Sequence, residues 1–498
     1  MPATHPTPSQ PIPSALRSYV EALDPGHGIW IDGKAYAGEG QEDFTVSDPS
    51  TNEPICQIAS ASADQARQAV DAAARALPHW RATAPRERAE LLRACYEAVI
   101  DDGENLAALM SWEMGKSLTD AQGEVTYAAE FFRWFSEEAV RSEGDYAVAP
   151  AGGTRTIVTH HPVGVAALVT PWNFPAAMAT RKLAPALAAG CTTVLKPASL
   201  TPLTSLAITR IMHKVGVPAG VVNFLPSKHS GTISTTWLED ERVRLISFTG
   251  STAVGAQLME QAAKRIVNMS MELGGNAAFI VGPTADIDAA VDGAMQAKFR
   301  NGGQACTAAN RFFVHRDVAE KFTAQFGDRI RALKVGPALS TVDIGPVVSQ
   351  QARDDINELV EAATRDGATV IARADCDADA PGSFVPPTLV QVSDPHSPLM
   401  EQEIFGPIAP VYVYDDEAEM LRTVNAVQAG LASYVFGELS WALHLAEQIE
   451  CGMVGVNRGL ISDPAAPFGG MKQSGIGREG AREGIREFQE TQYFSLPW

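Results

Sequence analysis

Positive charge is scarce in this 498-residue chain: 39 Lys and Arg stand against 59 Asp and Glu, a formal net charge of −20. A protein that tracks duplex nucleic acid needs the opposite balance, because its affinity comes from neutralising phosphates, so no nucleic-acid partner is expected. Six cysteines, at positions 56, 95, 191, 306, 376 and 451, carry no C-x-x-C or zinc-finger spacing. That pattern argues against a disulfide scaffold and fits a reducing, cytoplasmic setting. No His/Cys/Asp/Glu cluster has ligand spacing, so no metal is expected. No apolar run reaches about 18 residues, the length a membrane-crossing helix needs, so no membrane partner is expected. Residues 1–14 lack a charged segment followed by an apolar one and read as a disordered arm rather than a secretory signal. No internal repeat is visible.

What is present is a globular chain, 45% hydrophobic and long enough for two or three domains. Short strands around turns are expected from Gly28 to Val46. An all-helical block follows: Asp64 to Leu77, Arg86 to Ile100, Glu104 to Met114 and Ala121 to Val140. After a strand at Arg155 to Thr159 the pattern changes. Strands at Val163 to Thr170, Thr192 to Lys196, Val221 to Leu225, Val243 to Phe248 and Ile266 to Met271 alternate with helices at Pro175 to Ala189, Pro202 to Lys214 and Ser251 to Ala263. Alternation of this kind implies a parallel, doubly wound sheet, with ligands at the carboxyl ends of its strands. It restarts at Ala277, after Gly274-Gly275, with strands at Ala278 to Val281, Arg311 to Val314, Thr369 to Ala372, Leu389 to Val392 and Ala409 to Tyr414. Its helices are Asp286 to Lys298, Val318 to Leu333, Gln351 to Arg365, Glu417 to Asn425 and Trp441 to Ile449. The fold class is therefore α/β, with a Rossmann-like first domain and a second α/β domain.

Several strand ends carry chemistry-bearing residues. Phe299 to Arg311 contains a helix stop, Asn301-Gly302-Gly303, followed by Cys306. A lone Cys is most often a small buried residue, and its neighbours decide whether it is more. Thr170-Pro171-Trp172-Asn173-Phe174-Pro175 puts an amide where it can donate to an oxyanion or cap a helix. Lys196, in Val194-Leu195-Lys196-Pro197-Ala198-Ser199, can meet a phosphate or ribose hydroxyls. Phe248-Thr249-Gly250-Ser251 is a strand, a turn and a helix start suited to phosphate, although it is not the G-x-G-x-x-G fingerprint. Glu272, in Met271-Glu272-Leu273-Gly274-Gly275, can act as a general base if burial raises its pKa. Glu403, in Glu401-Gln402-Glu403-Ile404-Phe405-Gly406-Pro407, can hold ribose hydroxyls. The Gly-rich run from Pro467 to Gly480 reads as tight turns.

Taken together and in this order, these segments resemble the aldehyde dehydrogenase superfamily from about Gly28 to Tyr493, most closely its succinate-semialdehyde enzymes. The resemblance implies that Cys306 is the nucleophile, Asn173 with the Cys306 N–H an oxyanion site, and Glu272 the general base. It implies a proton relay through Lys182 and Glu479. It places cofactor contacts at Thr170, Pro171, Trp172, Lys196, Ser199, Gly250, Ser251, Glu403 and Phe405, and substrate contacts at Arg181, Arg300 and Ser462. Two guanidiniums and a hydroxyl can bind a distal carboxylate. The implied reaction is oxidation of an aldehyde, succinate semialdehyde first among them, by NADP or NAD. Glutarate semialdehyde or a larger keto-acid or aryl aldehyde is the alternative, because Arg458 stands where relatives often carry a smaller or acidic residue. A cofactor-independent Cys hydrolase is a rival. Position 308, where some relatives carry a second redox-active Cys, is Ala308. The family organisation implies a cofactor domain (15–140 and 163–273), a catalytic domain (274–470) and a strand-rich arm (141–162 and 471–498) that pairs subunits into a dimer or tetramer.

NAD-preferring relatives often hold the adenosine ribose with a Glu at the position of Ser199, whose charge repels a 2′-phosphate. Ser199 removes that repulsion and leaves Lys196 free to pair. NADP+ is therefore expected to be an effective oxidant. Measured kcat/KM for NADP+ more than about tenfold below that for NAD+, roughly 1.4 kcal/mol, contradicts this.

Overall fold

A computed structural model describes residues 12–141, 143–377 and 379–498. Residues 1–11 of the expected disordered arm lie outside the described residues, and the helix Ser14–Ala22 starts directly after Pro13.

Two open sheets dominate. The first runs in the order Lys34–Tyr36, Ile29–Ile31, Val222–Phe224, Thr192–Lys196, Val165–Val169, Val243–Thr249, Asn268–Glu272 and Gly475–Ile476. Its five central strands are parallel. Antiparallel strands close both edges. Val165–Val169, Thr192–Lys196 and Val243–Thr249 are buried along most of their length, as strands covered on both faces are. The chain leaves Val165–Val169 in one direction across the sheet and returns to its other side at Val243–Thr249. That reversal opens a crevice at the strands' carboxyl ends.

The second sheet has seven strands, in the order Thr369–Arg373, Thr388–Gln391, Ile408–Tyr414, Ala309–His315, Ala277–Val281, Ala432–Phe436 and Met453–Val456. All pair in parallel except the outermost, Thr369–Arg373. Stacked and tilted rings of Phe279, Phe312, Phe322, Tyr434 and Phe436 fill one of its faces. A third, antiparallel sheet joins Asp145–Val148, Thr154–Pro162 and Gln489–Pro497. Within 471–498 the segments part company: Met471–Lys472 pairs with Ala429–Gly430, Gly475–Ile476 edges the first sheet, and only Gln489–Pro497 joins the third.

Short strands near the N-terminus and the helices Ala63–Ala82, Pro85–Asp101, Gly103–Met114 and Leu118–Ala139 lie where the sequence places them. The elements not anticipated include the helices Ser14–Ala22 and Ser230–Glu239 and the strands Pro54–Ile58, Ala432–Phe436 and Met453–Val456. Ser230–Glu239 is half Ser and Thr, so neither propensity nor a continuous apolar stripe announces it.

The helix Leu118–Ala139 bears on the crevice through Glu124, which is fully buried. It accepts hydrogen bonds from the N–H groups of Ala176 (2.9 Å) and Ala177 (3.1 Å) at the start of the helix Ala177–Ala189, and pairs with the buried Lys116. Lys116 also donates to the Asn173 carbonyl at 2.9 Å. Removing one member of a buried ion pair leaves an uncompensated charge. Glu124→Ala is expected to lower unfolding free energy by about 3–5 kcal/mol in denaturant titration. A loss below about 1 kcal/mol removes the pair from any structural role.

Candidate active site

The helix Ile287–Phe299 ends in a turn that few residues can make. Asn301 (φ 57°), Gly302 (φ 61°) and Gly303 (φ 76°) are consecutively left-handed. Glycine tolerates that region freely and Asn better than most residues. Contacts from other elements hold the turn. The Asn301 N–H donates to Asp120 at 2.9 Å, and its side chain donates to the carbonyls of Asn173 (3.0 Å) and Gln304 (2.9 Å). The Gln304 amide oxygen accepts the Val348 N–H at 2.9 Å. Cys306 emerges half-buried from this turn. Gly275 passes so close that a Cβ there would lie 2.3 Å from the Cys306 carbonyl oxygen, which excludes any side chain.

Asn173 sits just past the first sheet's central strand. Its amide donates to the Gln304 carbonyl at 3.1 Å, and its side-chain oxygen is buried without a partner. Glu272 ends the strand Asn268–Glu272, is 2% exposed, and neither carboxylate oxygen has a hydrogen-bond partner. Burial raises its pKa well above the ordinary carboxylate range, the Glu479 charge adds to this, and Lys182 and Arg181 partly oppose it. Glu479 behaves in the opposite way. Burial alone would raise it, but Lys182 at 2.6 Å and Arg181 at 3.4 Å outweigh that and hold it ionised. Burial pushes the Cys306 thiol up to about 12, with Arg181 pulling it down. A thiol so placed needs a base to take its proton.

The residues assigned to cofactor line the crevice at the strand ends. Val169 pairs in register with Lys196, and Thr249 with Glu272. The Thr170 N–H donates to the Lys196 carbonyl, and the Trp172 carbonyl accepts the Thr201 hydroxyl at 3.0 Å. Pro171 lies between them. Lys196 is 3% exposed, and burial alone lowers its ammonium to about 8. Ser199 is half-exposed three residues on. Gly250 precedes the helix Thr252–Ala263, which Ser251 caps by accepting the Val254 N–H. Glu403 accepts the Gly275 N–H at 3.1 Å, and Phe405, strained at φ 53°, sets its ring edge-on to Trp172 at 5.3 Å. A buried lysine with no carboxylate partner among the described residues, a helix N-terminus and an accessible acid along one crevice fit a dinucleotide.

Of the residues that the sequence assigns to substrate, Arg181 is 2% exposed. It bonds the Tyr127 hydroxyl and Glu479, lies 4.1 Å from the Phe468 ring centre, and keeps Nε unpartnered. Arg300, half-buried, stacks at 5.1 Å over Phe174. Ser462 is half-exposed next to Ile461, which packs against the same apolar cluster as Cys306. Arg458 is exposed.

A model of the aldehyde dehydrogenase family matches residues 36–494. The chain belongs to the aldehyde dehydrogenase family. It is 50% identical to a succinate-semialdehyde dehydrogenase of Paenarthrobacter nicotinovorans, over 89% of this chain and 98% of that protein. It is 43% identical to a glutarate-semialdehyde dehydrogenase of Pseudomonas putida, over 94% and 96%. A crystal structure described as an E. coli NADP dependent enzyme superposes with a TM-score of 0.93 at 41% identity, covering 96% of this chain and 99% of that one. Family members are NAD(P)-dependent oxidoreductases, and this chain is one.

For an aldehyde dehydrogenase, the residues that motif reading missed are the supports: Lys116, Asp120, Glu124 and Tyr127 on or before one helix, and Asn301 and Gln304 beside the thiol. Asn301-Gly302-Gly303 was read as a turn, and only the three-dimensional contacts show what locks it. An unpartnered buried carboxyl costs stability once it ionises. The folded pKa of Glu272 lies above its unfolded value, so the cost grows as pH rises from about 4.3 through the raised value. Glu272→Gln is therefore expected to exceed the parent in unfolding free energy at pH 8, by on the order of 1 kcal/mol or more, with the gain vanishing near pH 4. Equal stability of the two at both pH values contradicts the raised pKa.

Proposed function

We propose that this aldehyde dehydrogenase oxidises succinate semialdehyde to succinate. The observation that carries the reading is a thiol flanked by a free buried carboxyl and a side-chain amide, with two guanidiniums in the same cleft. Glu272 takes the proton of Cys306, and the thiolate attacks the carbonyl carbon to give a thiohemiacetal. The Asn173 amide and the Cys306 N–H hold the oxyanion, worth on the order of 3 kcal/mol per donor in comparable sites. NAD(P)+, held by the residues along the crevice, supplies the acceptor for the hydride that leaves the substrate carbon. Lys182 and Glu479 pass the Cys306 proton away from Glu272. The freed carboxylate then draws a proton from water, which attacks the thioester carbon and releases the acid, with the Cys306 thiolate as leaving group.

Arg300 and Arg181, with Ser462, bind the substrate's distal carboxylate. These cations give a net-acidic protein a local site for an anion. Glutarate semialdehyde is the second reading: a relative at 43% identity is named for it, and exposed Arg458 adds a cation near Ser462. The edge strand Gln489–Pro497 carries Tyr493, Phe494 and Leu496 outward, and a dimer or tetramer would cover them. Six free cysteines fit a reducing, cytoplasmic setting.

Cys306→Ala is expected to abolish aldehyde oxidation. Arg300→Ala and Arg181→Ala are each expected to raise KM for succinate semialdehyde about tenfold or more, relative to an uncharged aldehyde of equal length, as loss of a charged hydrogen bond implies. Equal changes for both aldehydes would place the carboxylate elsewhere.

A further inference from the structure

Lys298 is a lysine in an unusual place. It lies one residue before the end of the helix that feeds the Cys306 turn, it is 0% exposed, and no carboxylate ion-pairs with it among the described residues, although the Glu403 charge acts on its ammonium. Buried amines of this kind persist when they hold something in place. Its ammonium donates to the Asn310 side-chain oxygen at 3.1 Å. The Asn310 amide in turn donates to the Asn276 side-chain oxygen (3.2 Å) and to the Gln402 carbonyl (3.1 Å). The Asn276 amide donates to the carbonyls of Met400 and Glu401, both at 3.0 Å. Arg311, itself buried, donates to the Asn276 carbonyl at 3.0 Å.

These bonds tie four segments together: the helix before the nucleophile, the strand after it, the Gly274-Gly275 turn, and the three residues before Glu403. The loop they hold is under strain. Phe405 has a bulky side chain at positive φ, and such a conformation survives only when its surroundings impose it. The same loop presses on the nucleophile's turn: a Cβ on Gly303 would lie 2.3 Å from the Gly406 carbonyl oxygen. The network therefore joins the loop that carries Glu403 and Phe405 to the elements on either side of Cys306.

We propose that Lys298, acting through Asn310 and Asn276, is a positioning residue that fixes the Glu403–Phe405 loop for cofactor binding without touching the cofactor. The inference rests on the assignment of that loop to the cofactor side of the crevice. Lys298 contributes through the hydrogen bond it donates rather than through its charge near Glu403, so a neutral donor of similar length can replace it and an apolar side chain cannot.

The test is a fluorescence titration of the full-length protein with NADP+ and with NAD+, together with the KM and kcat of aldehyde oxidation. Lys298→Met is expected to raise the Kd and KM for the cofactor about fivefold or more while kcat falls less, and Lys298→Gln to recover most of the loss. A general loss of packing would lower kcat and the unfolding midpoint in both variants alike, and that result overturns the proposal. So does a Lys298→Met protein that binds cofactor within about twofold of the parent while Glu403→Gln binds it weakly. If Glu403→Gln binds as well as the parent, the loop assignment itself fails. Should Lys298→Met not fold, Asn310→Ser breaks the same chain of bonds and is judged by the same Kd criterion.

Discussion

The site depends on holding three consecutive left-handed residues in a turn that would relax if left alone. Asp120, the Asn173 carbonyl and the Val348 N–H reach Asn301 and Gln304 from separate elements and fix that turn. Each contact spans more than forty positions of sequence, so the conformation of the thiol is decided by assembly of both sheets. Lys116 and Glu124 extend the same support to the start of the helix that carries Arg181 and Lys182. Pre-organisation of this kind is what lets donors meet a developing charge without reorganising.

Electrostatics inside the crevice differ from those of the chain as a whole. The net charge is −20, yet Arg181, Lys182, Arg300, Lys196 and Lys298 are gathered on or near the crevice walls. Two carboxyls in one buried neighbourhood are driven apart: Glu479 is kept ionised by its cations, and Glu272, without a hydrogen-bond partner, is raised. Pairs of titratable groups separated in this way divide holding charge from exchanging protons.

The alternation of strands and helices, the crevice at the strand ends, and the motifs around Asn173, Lys196, Gly250, Glu272, Cys306 and Glu403 were legible because each depends on local pattern. The helix Ser230–Glu239 was not, because its Ser and Thr content carries no helical stripe. The strands Ala432–Phe436 and Met453–Val456 were not separated from their surroundings, because short apolar runs have no period of their own. The resemblance marks Arg181 as a substrate ligand. In the fold its guanidinium also bonds Tyr127 and Glu479, which no spacing along the chain foretells.

By itself the sequence determined the family and the α/β architecture, the first through motifs that match the family in order and the second through apolar periodicity. Tertiary structure alone decided that Glu272 stands without a partner, that Glu479 is paired, and that Lys298 reaches Asn276 through Asn310. Those outcomes depend on burial and on contacts between residues far apart in the chain, and the energy of a charge is set by what surrounds it in space rather than by its neighbours in sequence.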